Sequence, residues 1–165
     1  MLIKIFSTEE CPACNMAKEW LKKNNEEFYE IDIMKDKTAY KELEKIFGDG
    51  EIIVPVTAIG QQIVIGFDEK TFESTILEEK IRELYEEYKK YAKEKGIKLN
   101  SKRNVVEGII KKLIENEKKY GKRYCPCKPQ KTDDTICPCK NHLKEIEEMG
   151  HCTCYLFVKG DENGN

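Results

Sequence analysis

No stretch of this sequence is apolar over anything near the roughly 20 residues that a membrane-spanning helix needs, so no membrane partner is expected. Residues 2–6 (Leu-Ile-Lys-Ile-Phe) are too few for a secretory signal and have no basic leader. A cytoplasmic setting is therefore expected, where thiols stay reduced and close cysteine pairs mean catalysis or metal rather than a disulfide framework. Apolar residues are also in modest supply, 39% against 36% charged. A domain of roughly 80 residues then buries only a marginal core, which a metal staple would help. No Gly/Ser/Pro-rich linker divides the chain. The basic stretch from 101 to 131 holds 10 basic and 3 acidic residues but lacks the regular interleaving of aromatics that reads as a nucleic-acid surface. No nucleic acid is expected as a partner.

Charge is unevenly spread. Residues 1–78 carry 9 Lys/Arg against 16 Asp/Glu, whereas residues 79–165 carry 20 against 15. The two halves thus have opposite net charge, and a basic surface beside a redox centre would steer an acidic carrier to it.

Cysteine is where the sequence is rich. Its 8 cysteines fall into four close pairs of two kinds. Cys11-Pro12-Ala13-Cys14 has the spacing of a dithiol that opens and closes as a disulfide. Cys125/Cys127, Cys137/Cys139 and Cys152/Cys154 are Cys-x-Cys pairs, two of them Cys-Pro-Cys. Six sulfurs exceed the needs of one four-coordinate zinc. An iron–sulfur cluster takes four thiolates and leaves one pair over. Spacing alone does not choose which four.

The first half reads as βαβαββα. Residues 2–6 and 28–33 are β-prone, and Pro12 opens a helix with an apolar stripe at Met16-Ala17, Trp20 and Leu21. Thr38 is the expected cap of a helix that carries Leu43, Ile46 and Phe47 and stops at Gly48. Residues 54–59 and 62–65 are two strands joined at Gly60-Gln61, and a helix follows from about Thr71. This order, with Cys-x-x-Cys at the first strand-to-helix junction, Val54-Pro55 and Gly66-Phe67-Asp68, resembles the glutaredoxin-like members of the thioredoxin fold over about residues 1–78. The resemblance implies that Pro55 is cis and faces the dithiol. Cys11, at a helix N-terminus, is then the attacking thiolate and Cys14 the resolving one. Glu9 and Glu10 oppose thiolate formation at Cys11. The alternative for this pair is a structural or zinc half-site.

From 71 to 95 the pattern is continuously helical, with Ile76, Leu77, Ile81, Leu84, Tyr85, Tyr88 and Tyr91-Ala92 at helical spacing and the tyrosines read as packing residues. A second helix follows Asn100-Ser101, with its buried stripe at Val105-Val106, Ile109-Ile110 and Leu113-Ile114, and Gly121 stops it. After it the chain is loop-rich. Tyr91-Ala92-Lys93, the 105–114 helix, both Cys-Pro-Cys motifs, and Cys-x-Cys followed by Tyr155-Leu156-Phe157-Val158 resemble the catalytic chain of ferredoxin–thioredoxin reductase. The expected architecture is thus an α/β thioredoxin-like domain at 1–78, followed at 79–165 by a mainly α, loop-rich iron–sulfur domain of that catalytic type.

This resemblance implies a [4Fe-4S] cluster on Cys125, Cys137, Cys139 and Cys152, with Cys127 and Cys154 as a redox disulfide beside it. It also implies ferredoxin as electron donor and disulfide-containing proteins, such as redoxins, as substrates. The implied activity is a ferredoxin-dependent disulfide reductase whose Cys127 attacks a substrate disulfide, in the first instance Cys11–Cys14 of the fused redoxin. The family carries histidine between the third-pair cysteines. This chain has Thr153 there and His151 just before Cys152, which makes His151 the candidate proton carrier. His142 reads as a helix-surface residue. The rival reading is a redoxin fused to a structural or redox-sensing metal module.

Overall fold

The computed structural model describes residues 1–160. The chain divides into two compact units after Glu79.

In the first unit the elements are β1 (Ile3–Ser7), α1 (Pro12–Lys23), β2 (Tyr29–Asp32), α2 (Lys37–Phe47), β3 (Val56–Ile59), β4 (Gln62–Ile65) and the start of α3 (Glu69–Glu94). They form one sheet in the order β2-β1-β3-β4, with β1 parallel to β2 and antiparallel to β3. The period-2 alternation of a strand sorts β1 between two cores. Ile3 and Ile5 join Ala17 and Leu21 of α1, Ile59, and Phe72 and Ile76 of α3 on one face. Phe6 joins Ile33, Ala39 and Leu43 of α2, and Val56 on the other. The result is a thioredoxin-like sandwich of helices about a mixed sheet.

Three local expectations are corrected. The N-cap of α2 is Asp36, not Thr38: its carboxylate accepts from Thr38 N at 2.9 Å and Ala39 N at 3.1 Å. A short carboxylate reaches two of the unpaired amides that open a helix, whereas the Thr38 amide is itself one of them. The third strand starts at Val56 rather than Val54, because Pro55 has no N–H to give to a ladder. The third helix starts slightly earlier than expected, at Glu69, with Asp68 accepting from both the amide and the hydroxyl of Thr71 at 2.8 Å.

The second unit comprises the rest of α3, β5 (Ile97–Leu99), α4 (Arg103–Tyr120), a short 3-10 turn (Asp133–Thr135), α5 (His142–Met149) and β6 (Phe157–Lys159). Leu84, Tyr88 and Ala92 of α3 recur every four residues and face Val106, Ile110 and Leu113 of α4 in one core with Ile146, Leu156 and Phe157. Cys125, Cys137, Cys152 and Cys154 lie in that same core. Helix α4 ends at Gly121, whose φ of 76° lets the chain turn left-handed. The mainly helical, loop-rich expectation holds, with one addition. β5 and β6 form an antiparallel pair joining Leu99 to Phe157 and Ile97 to Lys159. Three residues per strand are too few for a period to declare itself in sequence.

The hairpin between β3 and β4 turns at Gly60, whose φ is 59°. A Cβ there would run into the carboxylate of the buried Glu79, which accepts from Gln61 N at 3.2 Å and Gln62 Nε2 at 3.1 Å. Gly60→Ala therefore meets both a disfavoured backbone and a steric collision. We expect it to destabilise the protein by about 2–4 kcal/mol in urea unfolding followed by circular dichroism.

Candidate functional site

The N-terminal dithiol sits where β1 gives way to α1. Cys11 is the N-cap of α1 and Pro12 its first residue, and Cys11 and Cys14 are joined as a disulfide. The Cys14 amide donates to Cys11 Sγ at 3.1 Å, the contact an anionic sulfur would exploit on reduction. Cys14 is fully buried, and Cys11 is buried with slightly more exposure, 9%. Cys11 Sγ is 3.7 Å from the carbonyl oxygen of Val54, and the Val54–Pro55 peptide is cis. Of the two acidic residues before Cys11, Glu9 is offset by Lys35 Nζ at 3.6 Å, on an open surface.

The C-terminal cysteines are brought together by three loops. Cys125 N donates to Thr135 O and Cys137 N to Arg123 O, each at 2.8 Å, which lays the first pair against the second. Cys139 leads directly into α5, and Cys152 follows Gly150 at its end. Five of the six sulfur residues are buried, and Cys127 alone is exposed. Cys152 Sγ and Cys154 Sγ stand 3.6 Å apart, and Cys152 Sγ accepts from Phe157 N at 3.3 Å. Cys127 and Cys154 are both free thiols.

These contacts divide charge unequally among the sulfurs. Hydrogen bonds from Cys139 and Cys154 pull Cys125 down to about 3, against burial. A hydrogen bond from Cys154, aided by the Phe157 amide, brings Cys152 down to about 6. The donors move the other way: Cys139 and Cys154 are raised by giving their protons to Cys125, Cys154 also to Cys152. Burial pushes Cys137 up to about 12. Burial, then the neighbouring Cys125 charge, raises Cys127.

Among the described residues no three His, Cys, Asp or Glu side chains converge on the position of one metal ion. A [4Fe-4S] cluster takes four thiolates. The donor set fits the cluster: buried sulfurs, an apolar shell, and a backbone N–H already aimed at one of them. A further observation agrees. The Tyr88 side chain is 1% exposed, and its hydroxyl has no hydrogen-bond partner among the described residues. Burial, then the charge of Cys137, raises its pKa. A hydroxyl left without a partner beside Cys137 suits a permanently anionic sulfur there.

The two histidines have different surroundings. His142 is buried, not on the helix surface as its sequence setting suggests: Nδ1 lies 2.6 Å from Cys139 O and Nε2 lies 2.8 Å from the Tyr91 hydroxyl. As the first residue of α5 it turns inward because two polar partners there satisfy both ring nitrogens. His151 is half-buried, with Nδ1 3.1 Å from Cys152 O and its ring stacked on Tyr155 at 3.6 Å. Nothing in the sequence marks Lys128 or Glu145, and Thr153 is marked only as the residue in the place of the family's histidine. Lys128 Nζ donates to Glu145 Oε1 at 2.5 Å and Thr153 Oγ1 at 3.1 Å, and Thr153 N donates to Glu145 Oε2 at 2.8 Å. Burial works against the Glu145 carboxylate, but these bonds hold its pKa below the ordinary range. No periodicity or motif spacing marks three residues so far apart in the chain.

Residues 74–165 match the family model described as "Ferredoxin thioredoxin reductase catalytic beta chain". The chain belongs to that family. Ahead of that segment, residues 3–64 match the glutaredoxin family model, so a glutaredoxin-like domain is fused to a reductase catalytic domain. An uncharacterized glutaredoxin-like 8.6 kDa protein in the rubredoxin operon of Clostridium pasteurianum is 35% identical over 78 residues, which is 46% of this chain and 97% of that protein. Among solved structures, a glutaredoxin from Archaeoglobus fulgidus is 28% identical, covers 45% of this chain and 84% of its own, and has a TM-score of 0.39. Glutaredoxin 1 from Francisella tularensis is 30% identical, covers 46% and 95%, and has a TM-score of 0.37. The two families together make the protein a redox, disulfide-directed oxidoreductase. No described helix is long and apolar enough to cross a membrane.

The contrast between Tyr88 and Tyr91 is testable in protein stripped of metal. Tyr88→Phe removes a hydroxyl for which the described residues offer no well-formed hydrogen bond, so its stability in urea should be unchanged or higher by up to about 1 kcal/mol. Tyr91→Phe breaks the bond to His142 and should cost about 1 kcal/mol in the same assay.

Proposed function

We propose that the chain is a ferredoxin-dependent disulfide reductase that carries its own redoxin. The observation that carries this reading is the joint presence of a Cys11–Cys14 disulfide at a helix N-terminus and a nest of buried sulfurs with one exposed thiol, Cys127. Cys125, Cys137, Cys139 and Cys152 would hold a [4Fe-4S] cluster. When bound, such a cluster takes up single electrons at low potential and so couples a one-electron donor to two-electron disulfide chemistry.

The chain's own sulfurs carry out the exchange. With Cys127 and Cys154 reduced, the Cys127 thiolate attacks Cys11, the more exposed sulfur of the N-terminal disulfide. A Cys127–Cys11 bond forms, the Cys11–Cys14 bond breaks, and Cys14 leaves as a thiolate that takes a proton. The Cys154 thiolate then attacks Cys127, forming Cys127–Cys154 and releasing Cys11 as a thiolate. Two electrons have passed from one pair to the other. The Cys11/Cys14 dithiol passes them on to an external protein disulfide by the same exchange. Exposure suits Cys127 to attack, and burial suits Cys154 to resolve. Linking donor and acceptor dithiols in one chain raises their effective concentration, to the order of millimolar for a short link. The lysine-rich segment from 101 to 131 would steer an acidic protein donor such as a ferredoxin. His151 stands beside Cys152 as the candidate proton carrier.

Anaerobically purified protein, titrated with reduced ferredoxin while iron, sulfide and free thiols are measured, tests the reading. About four irons per chain, with thiols appearing first at Cys127 and Cys154 and then at Cys11 and Cys14, are expected. Zinc in place of iron, or iron whose reduction frees no thiols, would leave a redoxin joined to a structural or sensing metal site. The relay has its own check. In a Cys14→Ser, Cys154→Ser double variant both resolving sulfurs are gone, so oxidation by diamide should yield a Cys11–Cys127 linked peptide on non-reducing mass spectrometry. Its absence would remove the relay and leave external disulfides as the direct substrates.

A further inference from the structure

Lys128, Glu145 and Thr153 close a ring of three hydrogen bonds that the exchange just described does not use. Glu145, in the first turn of α5, divides its carboxylate: Oε1 accepts from Lys128 Nζ at 2.5 Å and Oε2 from Thr153 N at 2.8 Å. Lys128 Nζ completes the ring by donating to Thr153 Oγ1 at 3.1 Å. Each of the outer members has a telling neighbour. Lys128 directly follows Cys127, and Thr153 lies between Cys152 and Cys154. The ring therefore pins the turn bearing Cys127 to the turn bearing Cys154, segments 25 residues apart at the Lys128–Thr153 contact.

The pin is set in the structure rather than lying on it. The Lys128 and Glu145 side chains are 26% and 13% exposed, so the pair is screened less than an open surface pair and its geometry is better fixed. The Cys127 turn is held in shape as well: Lys128 N donates to Cys125 O and Lys131 Nζ to Lys128 O, each at 3.2 Å. The Thr153 end is anchored through α5, whose carboxylate reaches the backbone amide itself rather than a rotatable side chain alone.

We propose that this ring sets the approach of Cys127 to Cys154, so that their disulfide closes readily after each turnover. Glu145, Lys128 and Thr153 are positioning residues for that bond. The inference rests on the reductase reading above. Closing Cys127–Cys154 joins two thiols, releases two protons and gives two electrons to the disulfide that is reduced. Holding two thiols within reach favours the closed form, because less conformational freedom is lost when the bond forms.

The test uses the full-length, cluster-loaded protein equilibrated anaerobically in reduced and oxidised dithiothreitol. Alkylation and peptide mass spectrometry read the fraction of Cys127–Cys154 disulfide. Glu145→Ala breaks both of its links and should lower the equilibrium constant for the disulfide about tenfold, or about 30 mV for a two-electron couple. Glu145→Gln, which keeps an acceptor for Thr153 N, should fall between it and the parent. Lys128→Arg preserves the cation and should stay within about threefold of the parent. Lys144→Met, on the same helix but paired with Glu148 at 3.8 Å and outside the ring, should match the parent. Iron content should be the same in all of them. Equal disulfide fractions in the parent and Glu145→Ala would overturn the proposal, as would a loss of iron in Glu145→Ala that accounts for the change. A parent protein in which Cys127 and Cys154 never bond at any dithiothreitol ratio would overturn both this inference and the reductase reading. A parent that forms the bond with no effect of Glu145 overturns the ring alone.

Discussion

Sulfur occupies the place that hydrocarbon fills in most small domains. In the second unit Cys125, Cys137, Cys152 and Cys154 share one core with Tyr88, Ile110, Leu113, Leu156 and Phe157. A unit of this size has little apolar surface to bury, so its folding and its chemistry draw on the same atoms. The loops that carry the sulfurs are accordingly braced from the backbone. Cys125 and Cys137 are tied to one another's strands, Cys139 to α5, and Cys152 to Phe157. Each of these braces uses a backbone amide as donor; those at Cys125, Cys137 and Cys139 leave the sulfur untouched, whereas Phe157 N reaches Cys152 Sγ itself.

The first unit solves a different problem with the same element. Its two core clusters are complete without either cysteine, although both are buried, Cys14 fully and Cys11 slightly less. The sheet and α1 bring the pair to a helix N-terminus, where the Cys14 amide already donates to Cys11 Sγ. One unit thus presents its reactive sulfur at the edge of a finished core, and the other builds the core around most of its sulfurs and leaves Cys127 outside.

Much of this was legible in the sequence because it follows from short-range rules. The βαβαββα order could be read from alternation in residues 3–6, the Pro12 and Gly48 boundaries and the Gly60 turn. The α4 stripe could be read from Val106, Ile110 and Leu113. Family resemblance supplied the second half, where loops leave periodicity little to act on. What escaped depends on contacts between distant segments. The burial of His142 requires Tyr91 from α3, 51 residues away. The Tyr88 hydroxyl stands out only once its surroundings are known to hold no partner. The Asp36 cap was missed for a local reason: two adjacent candidates, Asp36 and Thr38, compete for the same helix end, and reach decides between them.

The pairing of β5 with β6 has a bearing on how the protein is made. β6 begins three residues after Cys154 and pairs with β5, which was synthesised some 60 residues earlier, just after α3 ended. Until β6 has emerged, Phe157 N cannot reach Cys152 Sγ, and the last two sulfurs have no fixed place. The redoxin unit, by contrast, is finished once the first turns of α3 are available. During translation the protein therefore passes through a stage at which one half is folded and competent while the other still displays loose thiols. A cluster held as proposed would find its last sulfurs in place only after β6 has emerged.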